Sequence, residues 1–223
     1  MADLIVTIDG PAGSGKSTVA RLLARKLGAS FLDTGAMYRA ITFAAMQAGV
    51  DLSDERTLLH VVQKHKFQFS VRGGQMRVVI DDVDVTGQIR SPEVTAKARY
   101  IAAAPKVREK LVQMQREFAA GRRKIVTEGR DQGTVAFADA NVKFYLTAEA
   151  PERARRRQAE LRAKGCNEGL EQTQKAIEER DRSDRSRTVG PLKPAEDAIV
   201  VDTTKLSIDK VVETLLELVR EKC

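Results

Sequence analysis

Apolar and polar positions change period several times along this chain, and each change marks an element. Leu4-Ile5-Val6-Thr7-Ile8 is a short β-branched apolar run, the pattern of a strand buried on both faces. Thr18 to Leu27 places Val19, Leu22, Leu23 and Leu27 at helical spacing and closes on Gly28. Phe31 and Leu32 read as a second buried strand. Asp33-Thr34-Gly35 is a turn that caps a helix starting near Ala36 and running to about Gly49. Leu58 to His65 is another helical piece. The period then drops to two. Lys66 to Val71 alternates, Arg72-Gly73-Gly74 turns, and Gln75 to Ile80 returns, which predicts a β-hairpin. Asp81-Asp82 turns again into Val83-Asp84-Val85.

Helices follow from Ser91-Pro92-Glu93 to about Ala103 and from Pro105 to near Gly121, the second with Val107, Leu111, Met114 and Phe118 on one face. Ile125-Val126, Asn141 to Leu146 and Ala198 to Thr203 read as further strands. Between the last two lie a helix begun by Pro151, a loop at Cys166 to Gly169, and a second helix from about Leu170. The second helix ends in Arg180 to Arg187, where charge changes sign every residue or two and no apolar stripe appears. Ser207 caps a final helix whose Ile208, Val211, Val212, Leu215, Leu218 and Val219 form a stripe for packing on the sheet. The order is βα throughout, interrupted by one small antiparallel sheet read as an insertion. This predicts an α/β protein with a central parallel sheet flanked by helices.

Between the first strand and first helix stands Gly10-Pro11-Ala12-Gly13-Ser14-Gly15-Lys16-Ser17, which fits G-x-x-x-x-G-K-[ST] at every fixed position. Glycines there let backbone N–H groups wrap a phosphate chain, and the helix adds the positive end of its dipole. Lys16 supplies a point charge for the outer phosphates. The Ser17 hydroxyl suits a Mg²⁺ ion bridging them. The bland alternative is a Gly-rich turn with a chance Lys-Ser. The strand before it and the helix after it favour the phosphate site.

Composition narrows the field. A chain of 223 residues with 42% hydrophobic content can build one domain with a sizeable core. A formal net charge of +7 implies a polyanionic partner, either nucleotide or nucleic acid. Residues 151 to 193 hold 12 Lys/Arg against 8 Asp/Glu and so carry +4 of that excess. Aromatics are 4% and Trp is absent, so stacking platforms for single strands are scarce. No run of 18 apolar residues occurs. The acidic start Met1-Ala2-Asp3, leading straight into a strand, predicts no signal peptide. Cys166 and Cys223 are far apart without CxxC spacing, and are expected to be free thiols in a reducing cytosol. His60 and His65 lack ligand-spaced partners and read as surface or boundary residues.

Several charges gather where strands end. Arg39 falls in the first turn of its helix, where the dipole opposes a cation, which predicts a ligand or an acidic partner for it. Glu128, Arg130 and Asp131 follow the Ile125-Val126 strand. Ligands of open α/β sheets bind at the carboxyl ends of strands, so these three read as a site, or else as a turn closed by an ion pair. The phosphate loop at the same edge favours the site. Arg99 and Arg108 could face a groove, although each alone is ordinary for a solvated surface. The arginine-rich pair of helices reads as a flap able to close over phosphates.

At this point the chain resembles the bacterial-type cytidylate kinases, members of the P-loop nucleoside monophosphate kinase family, over nearly its whole length. The resemblance rests on Ile8-Asp9-Gly10 through Ser17, on Asp33-Thr34-Gly35-Ala36-Met37-Tyr38-Arg39, on Glu128-Gly129-Arg130-Asp131, on Arg180-Asp181 through Arg187, and on Asp202-Thr203-Thr204. It implies a core of residues 1–37, 106–150 and 188–223, a monophosphate-binding insert at 38–105 and a helical lid at 151–187. It also implies transfer of a phosphoryl group from ATP, with Mg²⁺, to CMP and dCMP.

By the same resemblance, Gly10, Pro11, Ala12, Gly13, Ser14, Gly15, Lys16, Ser17 and Thr18 bind ATP. Thr34, Arg39, Arg130 and Arg187 grip the acceptor phosphate, Arg108 and Asp131 meet the cytosine edge, and Arg180 and Asp184 lie at the ribose. Arg153 and Arg157 are the lid arginines expected at the moving phosphoryl group. Arg99 departs from the family, standing where a base-contacting Ser is common, and Glu128 stands where an Asp is common. The expected protein is a cytoplasmic monomer that engages neither membrane nor nucleic acid. Two alternatives stay open: a P-loop kinase for UMP, AMP or another small acceptor, and a nucleic-acid-binding module built on the arginine helix.

Overall fold

A computed structural model describes residues 2–163 and 165–222; Cys223 lies outside them. Five parallel strands form the central sheet: β1 (Leu4–Asp9), β2 (Ser30–Asp33), β6 (Lys124–Gly129), β7 (Val142–Thr147) and β8 (Ile199–Asp202), in the order β2-β6-β1-β7-β8. β1 lies at the centre, and all six of its residues are buried, as its unbroken apolar run requires. In register, Asp9 lies opposite Gly129, and Asp33 opposite Glu128. The carboxyl ends of β1, β2 and β6 therefore finish level.

Alternate residues of each strand feed two separate cores. One side carries α1 (Lys16–Leu27) and α8 (Ile208–Lys222), which close Val6, Ile8, Leu23, Phe144 and Leu215 into one cluster. The other carries α2 (Thr34–Gln47), α3 (Glu55–Lys64), α4 (Pro92–Ala103) and α5 (Pro105–Ala120), which close Ile5, Leu32, Met37, Ile41, Leu111 and Ile125 into another. The antiparallel sheet β3 (Phe67–Arg72), β4 (Gln75–Ile80), β5 (Val83–Asp84) turns Met76, Val78 and Ile80 into that second core. Asp33 and Ser91 cap α2 and α4 by accepting from Ala36 N at 2.8 Å and Val94 N at 3.2 Å.

Two polar helices, α6 (Ala150–Arg162) and α7 (Leu170–Arg185), complete the chain. As the residue pattern indicated, α7 has no apolar stripe. It buries one face all the same, through Thr173, Ile177, Asp181 and Asp184. That spacing is helical, but two of the four buried side chains are carboxylates. Other departures are local. Ile208, expected in the stripe of α8, is 47% exposed, because the buried face begins only at Val211. Gln88–Arg90 form a short 3₁₀ turn and Gln132–Ala136 a single π-turn, neither signalled by periodicity. His65 pairs with Asp81 at the surface, and Cys166 is a half-buried free thiol. Among the described residues, no helix is long and apolar enough to cross a membrane.

The register of α8 can be read by mutation. Leu215 is fully buried, so Leu215→Ala should cost about 3 kcal/mol in urea unfolding. Ile208→Ala, on the exposed first turn, should cost less than about 1 kcal/mol. Equal losses would mean that the helix packs in a different register.

Candidate active site

Level strand ends place the chemistry-bearing residues on one edge. Gly10 follows β1, Thr34 follows β2, and Arg130 and Asp131 follow β6. The phosphate loop begins with Gly10 at φ +147°, where an added Cβ would lie 2.0 Å from the Leu146 carbonyl oxygen. At Gly13 a Cβ would meet the Arg153 backbone oxygen at 2.7 Å. The first glycine lets the loop leave the sheet beside β7, and the second lets α6 sit directly against the loop.

Lys16 is only 5% exposed. Its Nζ donates to the Pro11 carbonyl at 2.5 Å and to Ser14 Oγ at 3.4 Å, so the loop itself holds the ammonium. Burial, and then repulsion from Arg130, pull its pKa down to about 7. Ser17 Oγ donates to Glu128 Oε1 at 2.8 Å. Burial, followed by the charge on Asp33, pushes the Glu128 carboxyl above its usual range. Thr34 Oγ1 donates to the Glu128 carbonyl at 2.7 Å, which ties the start of α2 to the end of β6.

Beside this loop, arginines alternate with aspartates. Asp184 Oδ2 accepts from Arg130 Nε at 2.8 Å, and its Oδ1 accepts from Arg187. Burial works against the charged form of Asp184, but Arg130, Arg187 and Arg180 outweigh it and hold its pKa below the usual range. Arg39 pairs with Asp33 at 3.3 Å, which supplies the acidic partner its helix position called for. Arg108 and Asp131 form a buried ion pair, and Arg108 also reaches the Ala102 carbonyl at 3.3 Å. A guanidinium stacks over Tyr38 as well, Arg108 Cζ lying 5.7 Å from the ring centre. Burial pushes the Asp131 carboxyl up, against the pull of Arg108, Arg187 and Arg130. Arg180 is exposed on α7. The surrounding protein and then Arg130 lower its pKa to about 10, with Arg157 and Arg39 also close enough to add repulsion.

Two guanidinium nitrogens in this cluster have no partner. Arg39 Nε and Arg108 Nε are among the buried side-chain polar atoms left without a hydrogen bond, counted over the described residues. An unmet donor on a buried cation is costly, so both mark directions from which an acceptor is missing.

The remaining residues singled out in the sequence sit differently. Arg153 is buried and already engaged with the Ala12 carbonyl at 3.0 Å, the Ala148 carbonyl at 3.0 Å and Asp181 at 2.5 Å. It joins α6 and α7 to the phosphate loop. Arg157 bonds Glu160 at 3.0 Å on the same helix. Arg99 is not brought to the cluster. It is exposed, and its side-chain hydrogen bond among the described residues is to Tyr100 Oη at 3.3 Å. Position in the sequence suggests a base contact for Arg99, and here that side chain lies on an exposed face of α4.

The sequence reading assigned no role to Asp181, Asp9 or Thr203. Asp181 accepts from Ala12 N at 3.1 Å as well as from Arg153. Thr203 Oγ1 lies 3.3 Å from the Ser14 carbonyl and accepts from Arg156 at 2.9 Å. A carboxylate ending an otherwise apolar strand was the available signal for Asp9. The spacing Thr173, Ile177, Asp181, Asp184 was the signal for Asp181.

The parallel sheet, the phosphate loop and the basic cleft at one edge define a P-loop kinase. In fold, the chain is similar to the crystal structure of a gluconokinase from Sinorhizobium meliloti, with a TM-score of 0.51 at 15% identity, covering 99% of this chain and 94% of the other. A model of the cytidylate kinase family matches residues 6–221, and the chain belongs to that family. It is 47% identical over 218 residues to the cytidylate kinase of Rhodopirellula baltica, covering 98% of this chain and 93% of that one. It is 48% identical over 222 residues to that of Stutzerimonas stutzeri, covering 98% and 96%. The protein is therefore a kinase, using a nucleotide as phosphoryl donor.

The cleft's charge balance yields a pH test. Asp184→Asn leaves Arg130 and Arg187 without their carboxylate and should cost about 2 kcal/mol of stability at pH 7. The folded pKa of Asp184 lies below its unfolded value. Its contribution is thus present above an unfolded pKa of about 3.9 and is lost as pH falls through the folded value. Urea unfolding of parent and variant should show a gap at pH 7 that shrinks toward pH 2. A gap of the same size at both would contradict the assignment.

Proposed function

We propose that the protein transfers the γ-phosphoryl group of ATP to the 5′-phosphate of CMP, and likewise of dCMP. The observation that carries this reading is the pair of unmet donors, Arg39 Nε and Arg108 Nε, beside the Arg130–Asp184–Arg187 cluster. They offer unmet donor capacity to one anion and one polar ring edge next to the phosphate loop. The names of the relatives supply the base: proteins called cytidylate kinase, matched from end to end.

On this reading the chain divides by task. Residues 1–37, 106–150 and 188–223 form the core, 38–105 the monophosphate-binding insert, and 151–187 the lid. The loop from Gly10 to Ser17, with Thr18, wraps the ATP phosphates. Its Ala12 N–H is already given to Asp181, so the amides nearer α1 do most of that work. Lys16 exchanges its contacts with Pro11 and Ser14 for the outer phosphates, whose charge restores the ammonium that burial disfavours.

Arg39, Arg130 and Arg187, with Thr34, neutralise the acceptor phosphate so that two polyanions can approach. Arg180 and Asp184 face the ribose. Arg157 is the lid arginine for the moving phosphoryl group, and Arg153 holds the lid against the loop. An acceptor phosphate oxygen forms the new bond to Pγ, and the bond from Pγ to the β,γ-bridging oxygen breaks as ADP leaves. The acceptor oxygen is already anionic, so no general base is needed. Positioning, charge stabilisation and exclusion of water carry the rate.

Magnesium fits the donor set. Ser17 and Glu128 present hard oxygen atoms within hydrogen-bonding distance of each other, and Mg²⁺ favours one or two protein oxygens with waters and phosphates completing its shell. Such an ion neutralises charge on the phosphates. Ser17 and Glu128 would hold it, Glu128 by way of water. The absence of membrane and nucleic-acid partners, a cytoplasmic setting and a monomeric state belong to the same reading.

Base choice is the sharpest test. Asp131 accepts from the cytosine amino group, while UMP offers a carbonyl oxygen there, setting one acceptor against another in a buried site. That difference is worth on the order of 1–3 kcal/mol, so CMP should exceed UMP in kcat/KM by about tenfold or more. Asp131→Asn should narrow the gap, because an amide can turn its N–H₂ toward uracil. Arg99→Ser should leave the ratio unchanged, since Arg99 points to solvent. A parent that prefers UMP, or a ratio untouched by Asp131→Asn, would overturn the substrate assignment.

A further inference from the structure

One buried titratable group has no part in the chemistry above. Asp9 ends β1 and is 4% exposed. Its Oδ1 accepts from Gln132 N at 2.9 Å and its Oδ2 from Gly133 N at 2.7 Å. These amides open the π-turn that follows Asp131. The turn also hangs from Asp131 itself, whose carbonyl accepts from Val135 N at 2.9 Å and Ala136 N at 3.2 Å. At its far end, Arg116 on α5 donates to the Ala136 carbonyl at 2.8 Å and the Val135 carbonyl at 3.1 Å. The Gln132 side chain locks the start of the turn, accepting from Thr127 Oγ1 at 2.9 Å and donating to Gln115 at 3.3 Å. A Cβ on Gly133 would lie 2.9 Å from Thr7 Oγ1, so the turn is seated flush on β1.

We propose that Asp9 is a positioning residue for the acceptor base. It anchors the turn after Asp131 to the strand that launches the phosphate loop, and so sets the Asp131 carboxylate and the Arg108 paired with it relative to the donor. Two N–H groups aimed at two carboxylate oxygens are matched only by an acceptor at both positions, so no neutral isostere can replace it. Burial opposes the charge, and the pKa of Asp9 rises to about 7 despite both backbone hydrogen bonds. A residue kept there at that cost fits a demand for geometry. The inference rests on the reading that Asp131 meets the base.

The test compares Asp9→Asn with Arg116→Met, which loosens the same turn from its exposed end and spares the core. In Asp9→Asn one amide N–H meets an N–H₂ group. The KM for CMP should rise roughly tenfold and the CMP:UMP ratio of kcat/KM should fall, with the KM for ATP changing less than about twofold. Arg116→Met should shift KM for CMP in the same direction by roughly threefold. Hydrogen exchange at Gln132 and Gly133 should quicken in both variants.

If Asp9→Asn does not fold, Arg116→Met decides the matter alone. An unchanged KM for CMP in the folded variants, or a KM for ATP rising in step with it, would overturn the proposal. Should the parent fail to prefer CMP, the substrate reading falls. The positioning role is then judged on the KM of whichever nucleoside monophosphate the parent phosphorylates, together with the exchange rates.

Discussion

Everything at the candidate site depends on keeping like charges together. Arg39, Arg108, Arg130, Arg180 and Arg187 converge on one edge of a parallel sheet, with Lys16 close behind them. Bare, that assembly would repel itself. Asp33, Asp131 and Asp184 stand between the arginines and neutralise part of the charge. The balance is incomplete: Lys16 and Arg180 both sit below their usual pKa ranges, desolvation by the surrounding protein first and the repulsion of Arg130 second. A phosphate entering the cleft would relieve that repulsion, and on our reading this relief is the source of binding energy. Protein side chains hold the arginines in place beforehand, so little reorganisation is left for the substrate to drive.

The carboxylates that perform this task come from three places. Asp33 ends β2, Asp131 follows β6, and Asp184 lies on α7. The last of these joins the arginine-rich helix to the sheet edge through Arg130, while Asp181, one turn earlier, joins it to the phosphate loop through Ala12 and Arg153. One buried face of α7 thus touches the donor loop at one end and the acceptor cluster at the other. Its Asp-rich stripe explains how so polar a helix can pack at all. Ion pairs there replace the apolar contacts that hold α8 to the other side of the sheet, and such pairs rearrange more readily than a core of Leu and Val when charge enters or leaves.

Much of this was legible in the residues. Unbroken apolar runs named the buried strands, the change of period at Lys66 named the small sheet, and G-x-x-x-x-G-K-[ST] between strand and helix named the phosphate loop. What stayed hidden was whatever depended on partners distant in sequence. The stripe Thr173, Ile177, Asp181, Asp184 has helical spacing, yet reads as solvated until its arginines are known. The π-turn at Gln132 has no periodic signature, since its stability comes from Asp9, more than a hundred residues upstream. Ile208 counted as apolar in the stripe of α8, but the start of a helix often overhangs its sheet. Arg99 occupied a suggestive place by position alone, and only the orientation of α4 shows that it faces solvent.

The central claim is that the arginine cluster is built to receive a phosphate dianion, with the base adding selectivity. Calorimetric titration of the protein with CMP and with cytidine, in the absence of ATP, measures this directly. The two ligands share the ring and the ribose and differ only in the phosphate. Two or more charge-assisted hydrogen bonds predict that CMP binds at least about 100-fold more tightly. Comparable affinities for CMP and cytidine would contradict the account.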